Sequence, residues 1–221
     1  MDPEHPGRAT APLSRRRDAD RWAAALAALA VGVAYLFVPP RLRVGPSWLL
    51  LAIEGVLLVP LLVARVLERH LVSHWLGRAM TGLATLAVAL SAIFLVTRLP
   101  GGKTPGSELL GSSALVYFSN VLVFALWYWE IDAGGPLVRG RGRYASHDFV
   151  FPQFQQDPQG AALAWMPGFI DYLFLAFNTS TAFSPTDTLV LSPRAKLLMM
   201  AQSMISLVAV AVLAARAINV L

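Results

Sequence analysis

The chain has 221 residues, of which 56% are hydrophobic and only 14% charged. The apolar residues come in long blocks, which excludes an ordinary soluble domain and points to an all-α, polytopic membrane helix bundle in a lipid bilayer. A net charge of +5 would suit nucleic acid, but basic cytoplasmic loops account for it in such a bundle, so no nucleic-acid partner is expected. Cysteine is absent, so no disulfide can form.

Residues 1–21 are polar, with three prolines and the run Arg15-Arg16-Arg17, and read as a disordered basic cytoplasmic tail. A cleaved leader is not expected, because the tail is long and the apolar run after it has the length of a membrane anchor. The first span is predicted over 22–38, stopped by Pro39-Pro40. The second covers 48–67, with Glu54 one to two turns inside it and a kink expected at Pro60. The third, 79–97, is rich in Ala, Gly, Thr and Ser and suits close helix packing. After a turn at 101–106, the fourth span, 109–131, ends in Trp127-Tyr128-Trp129-Glu130, an interfacial aromatic belt followed by an acid. These four helices make a membrane region over 22–131. Residues 132–168 form the longest polar segment inside the fold. They hold Gly134-Gly135-Pro136, three arginines at 139, 141 and 143, and His147-Asp148-Phe149-Val150-Phe151-Pro152. This segment reads as an interfacial loop with aromatic anchors.

The last unit is 169–221. A short apolar run, 169–177, leads into a polar stretch, 178–188. Crossing a bilayer core takes roughly 20 helical residues, so the run predicts a re-entrant half-helix. Its turn must be buried in protein or line a wet cavity. Ser192-Pro193 is an N-cap followed by a favoured first helical position, opening a final membrane helix. The expected architecture is thus five transmembrane helices plus one re-entrant half-helix.

This order of half-helix, polar turn, Asp187, short link, Ser192-Pro193 and a helix carrying Ala195, Lys196 and Ala215-Arg216 resembles the pore module of simple bacterial potassium channels. The resemblance runs without gaps over 171–219, about a quarter of the chain. Ala182-Phe183-Ser184-Pro185-Thr186 stands where that family carries its filter. Both filter glycines are missing and a proline sits inside, so a regular carbonyl cage is not expected. The whole chain is similar to a group of bacterial multi-pass membrane proteins that share the Asp-Phe-x-Phe-Pro stretch and the half-helix without the filter. That similarity implies a bacterial inner-membrane location and no established activity. The pore-module resemblance implies a homo-oligomer, with a tetramer among the options, and a monovalent cation as ligand.

Lys and Arg counts set orientation. Eleven fall in the tail, near the second exit and in the long loop, against four in the first and third loops. The amino terminus and the long loop are therefore expected in the cytoplasm. The half-helix then enters from the cytoplasm, opposite to the channels it resembles. Either the module is inverted, or 166–183 spans the membrane as a short sixth helix. The run Asn178-Thr179-Ser180-Thr181 argues against a lipid-facing span and favours the half-helix.

The candidate pore turn comprises Asn178, Thr179, Thr181, Ser184, Pro185, Thr186 and Asp187. Its hydroxyls and carbonyls would either coordinate an ion or satisfy the backbone of a buried turn. The candidate intramembrane polar residues are Glu54, Asp171, Gln202 and Ser206. Glu54 reads as a proton or cation ligand or as a structural acid. Asp171 would fix the half-helix by pairing with a basic residue, or line a vestibule. Gln202 and Ser206 share one helix face and suit interhelical hydrogen bonding; Ser206 stands where the resembling channels often have a hinge glycine. His70 and His74 are four apart but have no acid or Cys beside them, so they read as a solvated loop rather than a metal site. No phosphate loop, nucleophile elbow or zinc signature occurs, so no enzyme and no cofactor are expected. Two function classes remain: a weakly selective cation permeation protein, or a non-conducting membrane protein with a structural or partner-binding role.

Overall fold

A computed structural model describes residues 13–67, 69–97, 105–139, 147–156, 165–184 and 187–220. The elements are α1 (Leu13–Leu36), α2 (Trp48–Val66), α3 (His70–Thr97), α4 (Gly106–Ile131), α5 (Pro136–Arg139), β1 (Phe149–Val150), α6 (Pro152–Gln156), α7 (Phe169–Ala182), β2 (Leu189–Val190) and α8 (Pro193–Val220). The described chain is all-α apart from the two short strands. Three helical stretches, Leu71–Thr97, Gly106–Gly134 and Pro193–Ala215, are long and apolar enough to cross a membrane. Trp22–Leu36 and Trp48–Ala64 are shorter apolar helical stretches.

The bundle is built around α4, which packs against α1, α3, α7 and α8. Its sequence allows this because its charged residues, Glu108 and Glu130, sit in its first and last turns and leave the middle uncharged. Small residues such as Ser112, Ser113 and Ala125 let neighbours approach, while Phe124, Tyr128 and Trp129 fill the seams. Nearly every residue from Ser119 to Ile131 is buried. α8 buries a single stripe, Ala195, Met199, Gln202, Ser206, Ala209 and Val212, at the three-to-four spacing of one helix face. Its other face, with Leu197, Met200, Met204 and Leu207, is exposed. α2 lies between α1 and α3 in the packing order, and the loop before it folds back. The Tyr35 hydroxyl donates to the Val44 carbonyl at 3.2 Å and accepts from the Val44 amide at 3.0 Å. Leu42 is plugged beneath that loop, fully buried.

Several expectations change. α1 begins at Leu13, so Arg15-Arg16-Arg17 lie on a helix rather than in a disordered tail. Arg and Ala are good helix formers, and extending an existing helix costs far less than nucleating one. Residues 1–12 lie outside the described residues. The helix of α2 continues through Pro60. α3 starts at His70, so His70 and His74 lie on its first turns and not in a loop. Among the described residues no group of three or more potential metal ligands occurs. The 132–168 segment is more structured than an interfacial loop. It contains a 3-10 turn at Asp132–Gly134, α5, β1 and α6. β1 pairs antiparallel with β2, Phe149 opposite Val190 and Val150 opposite Leu189. α7 extends to Ala182, so Asn178 to Thr181 are helical and the turn begins later.

The chain reverses sharply after α4 through Ala133 (φ 50°), Gly134 (φ 81°) and Gly135 (φ 95°). A Cβ on Gly135 would lie 3.0 Å from the Glu130 carbonyl oxygen. Gly135→Ala is therefore expected to lower unfolding stability in detergent by about 1–3 kcal/mol, from backbone strain and this contact. Gly111 is the control: it is helical, and a Cβ there meets no atom within 4 Å. Gly111→Ala should hold or raise the melting temperature.

Candidate functional site: α7 between α4 and α8

α7 has 14 residues and is capped by its own first turn. The Gly168 amide donates to Asp171 Oδ2 at 2.7 Å, and the Asp171 amide donates to the Gly168 carbonyl at 3.1 Å. The Phe169 amide donates to Asp20 Oδ1 of α1 at 3.1 Å. A carboxylate at a helix N-terminus also meets the positive end of the helix dipole. Gly168 leaves room for this, since a Cβ there would lie 2.7 Å from Asp20 Oδ1. Asp171 thus caps α7 within its own first turn.

Deeper in, Gln202 of α8 joins three helices. Its Nε2 donates to the Ala176 carbonyl at 2.8 Å and to Ser180 Oγ at 2.7 Å, both on α7. Its Oε1 accepts from the Tyr128 hydroxyl of α4. Asn120 of α4 donates through Nδ2 to the Gln202 carbonyl at 3.0 Å and to Ser206 Oγ at 2.8 Å. Asn120, Tyr128, Ser180, Gln202 and Ser206 are all fully buried. The expected pairing role of Gln202 and Ser206 is what the geometry displays, with α4 and α7 as the partners.

The outer end of the site is charged. Asp132, after α4, accepts from the Asp148 and Phe149 amides through Oδ1 at 2.9 and 3.2 Å. Its Oδ2 accepts from the Tyr172 hydroxyl of α7 at 2.5 Å. Arg139 donates to the Trp129 and Asp132 carbonyls at 3.1 and 2.8 Å, and its guanidinium lies 4.9 Å from the Tyr172 ring centre. Asp148 takes a two-pronged bond from Arg194 at 2.7 and 2.6 Å, and accepts from the Ser192 hydroxyl. Ser192 Oγ in turn accepts the Ala195 amide at 3.2 Å, as an N-cap should. Phe149 and Phe151 pack edge-on against Tyr172, with ring centres 6.4 and 5.3 Å apart. His147 lies beside this cluster. Burial pushes its imidazole below the usual histidine range, with the Asp132 and Asp148 carboxylates acting the other way and Arg139 with it.

The candidate turn is divided by these contacts. Thr179 is buried, and its hydroxyl donates to the Leu175 carbonyl at 2.8 Å. Asn178 Nδ2 donates to the Phe174 carbonyl at 2.9 Å, and Thr181 Oγ1 to the Phe177 carbonyl at 2.7 Å. Phe183 takes a left-handed conformation, φ 53°, and ends the helix. Thr181, Ala182, Phe183 and Asp187 are exposed and Ser184 is partly so. Pro185 and Thr186 lie outside the described residues. Glu54 is not part of this site; it is buried in the α1–α2 seam. Sequence reasoning missed Asn120, Asp132, Arg139, Tyr172 and Arg194, and weighed Asp148 only as a weak pair with His147. Asn120 carried a readable signal, an amide inside an apolar span.

Comparison with family models, curated proteins and solved structures finds no match to this chain.

The Gln202 junction makes a double-mutant prediction. Gln202→Leu strips the Tyr128 hydroxyl and Ser180 of their partner and should cost on the order of 1–3 kcal/mol of unfolding stability. Tyr128→Phe should cost less, about 1 kcal/mol. Because the two share one bond, the double variant should lose measurably less than the sum of the singles. Strict additivity in detergent melts would show that the bond contributes nothing.

Proposed function

We propose that the chain is a five-span membrane protein of the bacterial inner membrane whose α7 enters the bilayer and turns back. In this reading a homo-oligomer of α4–α7–α8 units lines a weakly selective pathway for monovalent cations. The observation that carries the reading is where the two ends of α7 and its return lie. Tyr172, near the start, bonds Asp132, and Leu189–Val190, after the turn, pairs with Phe149–Val150 beside the same residue. Between them the helix carries Ala176 and Ser180 to Gln202, about 14 Å along α8. Such a helix held between two long apolar helices has the layout that the pore-module resemblance implies. α1 and α2 complete the five spans, with their short apolar lengths accommodated by local thinning or by flanking residues.

Two surfaces support assembly. One face of α8 is uncovered along its length. The exposed end of α7 presents helix-terminal carbonyls and a turn, and such backbone is not tolerated against lipid. Neighbouring copies and water meet both needs. The negative end of the helix dipole, with Asp187 beyond it, favours cations over anions.

The second reading, a non-conducting membrane protein that binds a partner, is favoured by one observation. The side chains of Asn178, Thr179 and Thr181 each donate to a carbonyl of their own helix, which reduces their freedom to contact an ion.

Purified protein in liposomes separates the two. Cation flux is expected, with a potassium-to-sodium permeability ratio within about tenfold of unity because no glycine-built carbonyl ring is present. Asp187→Asn should lower that flux several-fold with assembly unchanged. A steeply potassium-selective current contradicts the proposed pathway, and a well-assembled oligomer without flux selects the non-conducting reading. Orientation has its own test. Reporter fusions at Arg16, Lys103 and Arg141 should report cytoplasm, exterior and cytoplasm. An exported Arg16 reverses the arrangement.

A further inference from the structure

The α1–α2–α3 side of the bundle holds one ionisable group that the α4–α7–α8 unit does not use. Glu54 is 1% exposed, and its carboxyl oxygens lie against the Gly32 backbone with no side-chain hydrogen-bonding partner. It lies on the backbone of α1. A Cβ at Gly32 would stand 2.2 Å from Glu54 Oε2 and 2.9 Å from Leu51 Cδ1. The carboxyl therefore fills the space that any side chain at position 32 would need, and the seam between α1 and α2 is shaped around it.

No counter-charge is within the seam. Residues 22–36 of α1 and 79–97 of α3 carry no charged side chain, and residues 48–64 of α2 carry none besides Glu54. Within those stretches the other titratable group is Tyr35, one turn from Gly32, and its hydroxyl is committed to Val44. An ionised carboxylate here would have given up its hydration and gained no ion pair, with the Gly32 backbone too little to offset the loss. A metal ion does not solve this, because hard cations take about six or more oxygen ligands. Gly32 and Leu51, which lie beside the carboxyl, bring no side-chain oxygen to it.

We infer that Glu54 is a buried proton-binding site in the α1–α2 seam. The neutral acid is the packed form. Release hands the proton to water, leaves a carboxylate, and loosens the seam at Gly32, where charge must recruit solvent. This stands apart from the permeation reading, since neither α7 nor its turn takes part.

Infrared spectroscopy of the purified full-length chain in lipid, titrated over pH, tests it. The wild type should show a protonated-carboxyl C=O band at neutral pH that fades reversibly as pH rises. Glu54→Gln, or Glu54→Met if the amide variant does not assemble, should lack that band. Gly32→Ala should shift it, because the added methyl presses on the carboxyl. At alkaline pH, amide hydrogen exchange around Gly32 should be faster in the wild type than in Glu54→Gln at the same pH. A wild-type spectrum without the band at neutral pH overturns the inference. So does a band that survives unchanged when Glu54 is replaced. Equal exchange around Gly32 in both proteins overturns the seam-loosening step.

Discussion

A glutamine amide surrounded by apolar side chains must find all its partners inside the protein, and Gln202 does so by reaching across two helix seams at once. Its carbonyl oxygen takes the Tyr128 hydroxyl, and its two N–H groups take a carbonyl and a hydroxyl of α7. The rest of the candidate site depends on this. α7 is 14 residues long, close to the length at which an isolated helix is marginal, and its outer face is exposed. Burial of Tyr172, Leu175 and Ala176 supplies adhesion, but apolar contact alone tolerates sliding by a turn. Hydrogen bonds from one amide to positions 176 and 180 fix both the depth and the rotation of the helix.

Polarity in this unit is graded along the bundle. Asp132, Arg139, Asp148 and Arg194 gather at the end where α4 finishes and α8 starts, and all four are partnered. Further along, only neutral groups are used: Asn120, Tyr128, Ser180, Gln202 and Ser206. The order follows from desolvation, since a buried charge costs far more than a buried amide or hydroxyl. It also divides the labour. The charged end ties the connecting segments to α4, and the neutral interior sets how the helices sit against each other. Glu54 departs from this gradient, which is why it stands out as a group with chemistry of its own.

The long helices were legible because each is an apolar block bounded by Pro, Gly or charge. Gln202 and Ser206 were legible as partners of other helices, since four-residue spacing puts two polar groups on one face of an apolar helix. Ser192-Pro193 marked the start of α8 for a local reason, and the Ser192 cap is present. What stayed hidden was long-range or too short to leave a period. Asn120 meets Gln202 across 82 positions, and Tyr172 meets Asp132 across 40. No single-sequence pattern links such pairs. Two-residue strands leave no alternation to detect. The helical state of Asn178 to Thr181 was masked by composition. Such residues favour turns, but here their side chains bond carbonyls three or four positions back and the helix persists.

Chain length constrains what the turn after α7 can be. From Tyr172, level with Asp132, to Ala182 the helix advances about 15 Å. Six residues then separate Ala182 from Leu189, which is back beside Val150. Six residues reach at most about 20 Å when extended. They suffice to return, and they are too few to cross the bundle and come back as a further helix. The left-handed backbone of Phe183 closes α7 and starts the return. Carbonyls at the end of α7 lie beyond the helix's own hydrogen-bond ladder and need other partners to satisfy them. Under the proposed topology lipid cannot do this. A conducting assembly would satisfy them with water and ions, and a non-conducting one with the polar surface of a partner. Both proposed readings thus turn on the same place, the exposed end of α7, and differ in whether what meets it there is fluid.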